Sequence, residues 1–337
     1  DVLGDHKHPT NWLHIYVKDD FLPSGKTART LIQKFNNREN SKQTHVALAS
    51  FLSLSLILQT LKDWHKVLKL KKTVCKQVQL KSDYLWPLFE KDCQDSMSGV
   101  AAISNLLYFN LFEKAMSELP AQNKGCYLKE NQGWEFGFVN SWKEAGHFHN
   151  LMGMQHTPAK FWDLRSYFDK RCYVEKQNNN LPLPNYIGIN GSKMKSMYID
   201  SGYPQDKLLE VEALRYLHLN DSPVSLVKNN KNRPQKRTLL VVGDYLQENT
   251  SKQLALLTTA FEDIDQTVRY IIKPHPACPI DIQDLPGLNC EISMQSISEL
   301  LLMSDIVYSS SVTSAAVDAY CAGRPVITIL DGKSLNL

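Results

Sequence analysis

The chain has no CxxC pair. Its seven cysteines (Cys75, Cys93, Cys126, Cys172, Cys278, Cys290 and Cys321) are odd in number and scattered. That argues against a zinc site and a disulfide framework, and for a reducing compartment. Long hydrophobic runs are also missing. The most apolar stretch, VALASFLSLSLILQ at 46–59, is interrupted by serines and is shorter than the roughly 18–20 residues a membrane span needs, so a buried helix is expected there. No secretory signal opens the sequence, which starts at Asp1 and stops at DGKSLNL just after a core-like strand; both ends are expected to be trimmed. Charge of one sign is scarce: a formal net charge of +3 is too small to argue for nucleic acid, although it helps attract an anionic small molecule or lipid surface. A glycine-rich phosphate loop is absent as well. Gly25-Lys26-Thr27 has the ending of one, but Asp20 stands where its first glycine is required, so the triplet reads as coincidence.

What remains is the composition of a globular protein, 43% hydrophobic and 22% charged over 337 residues, long enough for two domains and a substantial core. NWLHIYVKD (11–19) is strand-like. Helical spacing of Leu, Phe and Trp over 44–69 predicts one long helix, and 96–119 predicts another, opened by a serine-rich cap and closed before Pro120. Residues 125–146 read as a short strand, a polar turn and an amphipathic helix. FHNLMGMQHTPAK starts the scheme again with an apolar strand, and 178–216 holds a further strand, a helix and a short strand.

The clearest boundary is VKNNKNRPQKR at 227–237, basic, broken by proline and apolar-free after Val227, as expected of an exposed linker. It separates an acceptor-side α/β domain (1–226) from a second domain (238–337). In the second, TLLVVGD, VRYIIKPHP, DIVYSSS and RPVITIL read as strands alternating with helices. Continuous Val/Ile-rich strands separated by helices indicate a parallel sheet covered on both faces. Ligands of such sheets bind at the carboxyl ends of the strands, and two such domains would enclose a cleft.

Four strand ends carry chemistry: Gly243-Asp244, Lys273-Pro274-His275-Pro276, Ser309-Ser310-Ser311, and Gln155-His156 in the first domain. Hydroxyls and backbone N–H groups where a helix starts form an anion site, and the alternative for Ser311 or Thr313 is a simple helix cap. Beside a strand-end Lys/His pair in the same sheet, phosphate binding is favoured. Prolines on both sides hold His275 near Lys273, so that both present donors to a phosphate or base. No His or Cys partner lies at ligand spacing, so no metal is expected.

The run KPHP … LLLMSDIVYSSSVTSAAVDAYCAGRPVI resembles the nucleotide-binding half of bacterial GT-B glycosyltransferases that use CMP-activated sugars, among them sialyltransferases and Kdo transferases. ENQGWE, GMQH, NGSKMKSMYIDSGYP and EALRY resemble a family of surface carbohydrate biosynthesis proteins. Together the motifs run from about residue 125 to the end, and the region before that is similar only loosely. The resemblance implies a GT-B fold, two Rossmann-like domains facing each other across a cleft, with the C-terminal part truncated. It implies a ulosonic acid (Kdo or a relative) passed from CMP to a lipopolysaccharide or other surface polysaccharide or glycolipid acceptor, on the cytoplasmic side and with peripheral inner-membrane association. The donor is the only cofactor-like molecule implied.

Carried over residue by residue, the resemblance implies that His275, Pro276, Ser309, Ser310, Ser311, Thr313 and Ser314 hold the CMP moiety. Lys273 and Arg215 would balance phosphate and donor carboxylate. Asp244 would be the nucleophile of a retaining route, Glu130 an acid/base on the acceptor, and His156 a base or acceptor contact. Asp244 reads equally well as a turn or helix-capping aspartate. Glu130 reads as an ion-pair partner, with Glu135 able to take its role, and His156 as a backbone-bonded strand-end histidine. Alternative functions are a CDP-glycerol-type polyol phosphotransferase, in which Asp244 stays unmodified, and a non-catalytic GT-B-like binding protein.

Overall fold

A computed structural model of the chain describes residues 9–19, 22–39, 42–81, 83–155, 167, 169, 172–173, 181–212, 237–261, 268–281, 283, 285, 288–310 and 313–329. The expected α/β class is the one observed, with parallel sheets in each of two compact units. The linker expected at 227–237 lies, apart from Arg237, outside the described residues.

In the first unit, strands β1 (Thr10–His14) and β2 (Gln43–Ala47) pair in parallel, Trp12 opposite His45. Helix α1 (Gly25–Asn36) connects them. Ser24 caps it by accepting from the Thr27 backbone N–H at 3.2 Å, so Gly25-Lys26-Thr27 is a helix start and not a phosphate loop. Helices α2 (Leu54–Lys81), α3 (Trp86–Ser98) and α4 (Val100–Glu118) follow.

Two expectations change here. The helix predicted over 44–69 is divided into β2, a 3-10 turn (Leu48–Phe51), and α2, which runs on to Lys81. The Asn36 amide brackets His45, donating to its carbonyl at 2.8 Å and accepting from its N–H at 2.7 Å. Those bonds and the pairing with β1 give 43–47 a strand partner that helical spacing cannot reveal. The predicted 96–119 helix begins later, at Val100, because Gly99 is extended (ψ −170°) between α3 and α4. The apolar stretch 46–59 is not simply buried, since Leu54 and Leu58 are exposed.

Strands β3 (Gly125–Lys129), β4 (Leu151–Gln155), β5 (Tyr186–Ile189) and β6 (Leu208–Glu210) form a second sheet in that order. Pairing is parallel from β3 to β5. Helix α5 (Gly133–Glu144) links β3 to β4, and α6 (Ser192–Asp200) follows β5. Leu111, Phe112, Ala115 and Met116 of α4 bury against Phe138, Val139 and Trp142 of α5. The helices approach closely at Gly137, where a Cβ would stand 3.3 Å from the Phe109 backbone.

The second unit, which also takes in Asn190–Met197 and so most of α6, contains a five-stranded parallel sheet. Its strands are β7 (Thr238–Val242), β8 (Arg269–Lys273), β9 (Cys290–Ile292), β10 (Ile306–Ser310) and β11 (Val326–Ile329). They lie in the order β9-β8-β7-β10-β11; β9 is the strand the sequence pattern did not reveal. Helices α7 (Gln247–Phe261), α8 (Ile297–Met303) and α9 (Ala315–Cys321) cover it. Alternation along the strands divides the core. Val241, Ile272 and Tyr308 pack with Leu254 and Leu257 of α7 on one face. Leu240, Ile271 and Val307 pack with Leu300 and Leu301 of α8 and Ala319 of α9 on the other. The chain starts at the central strand β7, builds outward to β9, then crosses to β10, which places a topological switch point between β7 and β10.

Candidate nucleotide site at the sheet switch point

Gly243 and Asp244 follow β7 at this switch point. The Gly243 N–H donates to the Lys273 carbonyl at 3.0 Å, and a Cβ at Gly243 would stand 3.4 Å from the His275 nitrogen. The loops after β7 and β8 therefore run side by side, and the absent side chain lets them do so. Asp244 is fully buried. Its Oδ1 accepts from the Leu246 N–H at 2.9 Å, and its Oδ2 accepts from Asn249 Nδ2 at 3.3 Å and from the Ser310 hydroxyl. The Asp244 backbone is closed onto Thr250, whose hydroxyl accepts from its N–H at 3.0 Å and donates to its carbonyl at 3.1 Å. This is the pattern of the turn and helix-capping aspartate. Both carboxylate oxygens are engaged within the fold, three donors on about four acceptor sites.

Ser309 and Ser310 are 0% and 5% exposed. They point to opposite faces of the sheet, so only Ser310 meets Asp244. Ser311 lies outside the described residues. Thr313 and Ser314 are half-buried at the start of α9, with the Thr313 hydroxyl accepting from the Ala315 N–H at 3.3 Å. The expected serine-rich cradle is thus divided in its described part between sheet interior and helix start.

His275 is half-buried beyond β8, and Pro276 is exposed. A turn holds the histidine, because the Cys278 N–H donates to the His275 carbonyl at 2.9 Å. Its Nδ1 accepts from the Ala277 N–H at 3.1 Å, which leaves the proton of the neutral ring on Nε2 as a donor. The Tyr245 ring stands edge-on, 6.3 Å between centroids. Lys273 turns its ammonium to the Gln295 carbonyl at 2.6 Å, so one of its three donors is used within the loop after β9.

Several residues at this site were not singled out in the sequence. Gln253, fully buried on α7, donates to the carbonyls of Val242 and Tyr308, both at 3.1 Å. It thereby bridges β7 and β10 where the strands part. Asn249 and Thr250 hold Asp244, and the Cys278 thiol donates to Gln247 Oε1 at 2.9 Å. The available signal was the cluster of polar residues in the first two turns of a helix that is otherwise apolar on its inner face.

The first unit has a separate polar group at the end of β3. Glu135 is buried at the start of α5 and accepts from the backbone N–H groups of Glu130 at 2.7 Å and Gln132 at 2.8 Å. Burial raises its carboxyl above the usual range, and the two donors and Lys129 oppose that rise. Glu135 is therefore a capping carboxylate, while Glu130 is half-buried just beyond the strand. Buried Lys129 donates to the side chain of Asn131, which has a positive φ of 58°. The sequence reading missed both. His156 and Arg215 lie outside the described residues. Among the described residues, no group of three or more His, Cys, Asp or Glu is placed to hold a metal, and no helix is long and apolar enough to cross a membrane.

No family model and no curated protein matches the chain. Among solved structures it is similar to UDP-GlcNAc 2-epimerase from Neisseria meningitidis bound to UDP-GlcNAc, at 12% identity over 96% of this chain and 83% of that one, with a TM-score of 0.45. It is similar to MnaA from S. aureus in a co-structure with UDP, at 10% identity over 96% and 79%, with a TM-score of 0.46. Similarity extends to trehalose 6-phosphate synthase from Burkholderia multivorans, at 9% identity over 95% and 83%, with a TM-score of 0.46. Likeness of this degree transfers no role to any residue of this chain.

Proposed function

We propose that the chain is a GT-B glycosyltransferase that binds a nucleotide-activated sugar beyond the carboxyl ends of β7, β8 and β10. The donor we favour is a CMP-activated ulosonic acid, and the acceptor a surface glycan or glycolipid. The observation that carries this reading is the switch point itself. Open parallel sheets bind ligands where strand order reverses, and half-buried His275, whose Nδ1 is engaged by the Ala277 N–H, follows the neighbouring strand β8 on a turn flanked by Pro274 and Pro276. CMP leaves as a phosphate monoester that needs no protonation, so donors at this position suffice to stabilise it.

The engaged carboxylate of Asp244 favours a second reading within the transferases: direct displacement without a glycosyl-enzyme adduct, as in a CDP-glycerol-type polyol phosphotransferase. Glu130 is retained as the candidate base toward an acceptor. Association with an anionic membrane face is supported by an exposed stripe along α2, where Leu54, Leu58 and Leu61 continue into Lys69, Lys72 and Lys76 at helical spacing.

Calorimetry with CMP, CDP and UDP, followed by nucleotide release from a matching panel of sugar and polyol donors, tests the assignment. CMP is expected to bind, with His275→Ala weakening it roughly tenfold or more. Tight binding of UDP or CDP with none of CMP overturns the donor assignment. Binding of no nucleotide overturns the transferase reading and leaves the non-catalytic alternative.

A further inference from the structure

The α2–α3 hairpin holds a second chemical feature, unconnected with the sheet switch point. Cys75 on α2 and Cys93 on α3 place their sulfurs 3.1 Å apart, and both residues are partly exposed. Among the described residues no other pair of cysteine thiols is hydrogen-bonded. A second cross-helix bond has the same antiparallel register: Lys71, one turn before Cys75, donates to the Ser98 hydroxyl at 2.7 Å. The two helices are therefore held in the alignment that keeps the thiols together. The contact with Cys75 pushes the Cys93 thiol up, while the nearby Lys71 ammonium acts in the opposite sense.

We propose that Cys75 and Cys93 form a reversible redox-modification site, a dithiol that a peroxide converts to an intramolecular disulfide. The sulfurs need to close by only about 1 Å to reach the bond length of about 2.05 Å, a movement that side-chain torsions supply. One thiolate attacks a peroxide oxygen, the O–O bond breaks, and the sulfur becomes a sulfenic acid as water departs. The second thiol attacks that sulfur and expels the hydroxyl as a second water. Two thiols and one hydrogen peroxide thus give one disulfide and two waters, two electrons passing from sulfur to oxygen. In a reducing compartment such a bond is transient, formed under oxidant and reversed by thiol exchange.

The disulfide would fasten α3 to α2 across the intervening turn, and so set how freely α2 opens. Lys76 and Lys81 lie between the two cysteines and give trypsin a direct report of that opening.

The full chain is treated with hydrogen peroxide, alkylated, and read by intact mass and peptide mapping. The expected result is a loss of about 2 Da, a peptide pair joined through Cys75 and Cys93, and alkylation of Cys126, Cys172, Cys278, Cys290 and Cys321 as before. Dithiothreitol should reverse it, and oxidation should slow tryptic cleavage at Lys76 and Lys81 by roughly tenfold or more. A Cys93→Ser variant should lose the 2-Da change and accumulate a dimedone-reactive sulfenic acid at Cys75, with its far-UV circular dichroism unchanged. The proposal is overturned if Cys75 and Cys93 oxidise no faster than the exposed Cys126 and Cys321, if the bond joins two molecules, or if the purified protein retains one zinc ion on this pair.

Discussion

Replacing Asp244 separates the two roles a carboxylate can have at the end of β7. As a buried structural acceptor, it receives three donors, from Leu246, Asn249 and Ser310. Alanine leaves all three without an acceptor at a site that is 0% exposed. Hydrogen bonds to charged groups contribute about 1.5–3 kcal/mol each, and buried donors left unsatisfied are costly, so Asp244→Ala should destabilise the second unit by about 3–5 kcal/mol. Asparagine keeps the shape and one acceptor oxygen. The Ser310 hydroxyl can turn to accept from the new amide, so the loss should be nearer 1–2 kcal/mol. Tryptophan fluorescence is the wrong assay, because the five-stranded sheet and its covering helices, residues 238–329, contain no tryptophan. Hydrogen exchange of the β7 and β10 amides reads the right unit, and Asp244→Ala should lower protection there roughly a hundredfold or more. The structural reasoning is refuted if Asp244→Asn leaves this protection unchanged, abolishes donor turnover and eliminates a sugar adduct seen on the unsubstituted protein.

Two further outcomes follow from buried polar groups. Gln253→Leu deprives the carbonyls of Val242 and Tyr308 of their shared donor and should cost about 2–4 kcal/mol, measured by urea unfolding followed by far-UV circular dichroism; an unchanged midpoint would show that the bridge is dispensable. His14 Nε2 and His45 Nδ1 lie 2.9 Å apart in a stack with Trp12, and both imidazoles are held below their ordinary value of 6.5, chiefly by burial. In the window between the lowered folded values and 6.5 the unfolded chain binds more protons. The stability this pair contributes is therefore present above 6.5 and lost as pH falls through the folded values. Urea midpoints read by tryptophan fluorescence should drop between pH 7.5 and pH 5, and His14→Gln should flatten the drop; a profile that rises with acid contradicts the assignment.

Sequence alone was most informative where local patterns coincide with tertiary order. Val/Ile-rich runs such as TLLVV and RYIIK are buried on both faces by helices, so strand identity and parallel class could be read directly. Proline on either side of His275 marked the end of β8, and its turn is where the pattern put it. Helical spacing misled at 44–69, because the strand at Gln43–Ala47 exists only by pairing with β1, more than 25 residues earlier, and by the Asn36 bracket. The three serines after Tyr308 looked alike in sequence. Strand alternation sends Ser309 into one face and Ser310 onto Asp244 on the other, a difference that composition does not contain. The amino-acid sequence by itself determined the α/β class, the strands from TLLVV onward apart from β9, and which strand ends carry polar residues, since these depend on local propensity and period. Only the tertiary structure decided that β7 and β10 are neighbours, that Gln253 spans them, and that Asp244 is a buried hydrogen-bonded hub, because each of these depends on contacts between segments far apart in the chain.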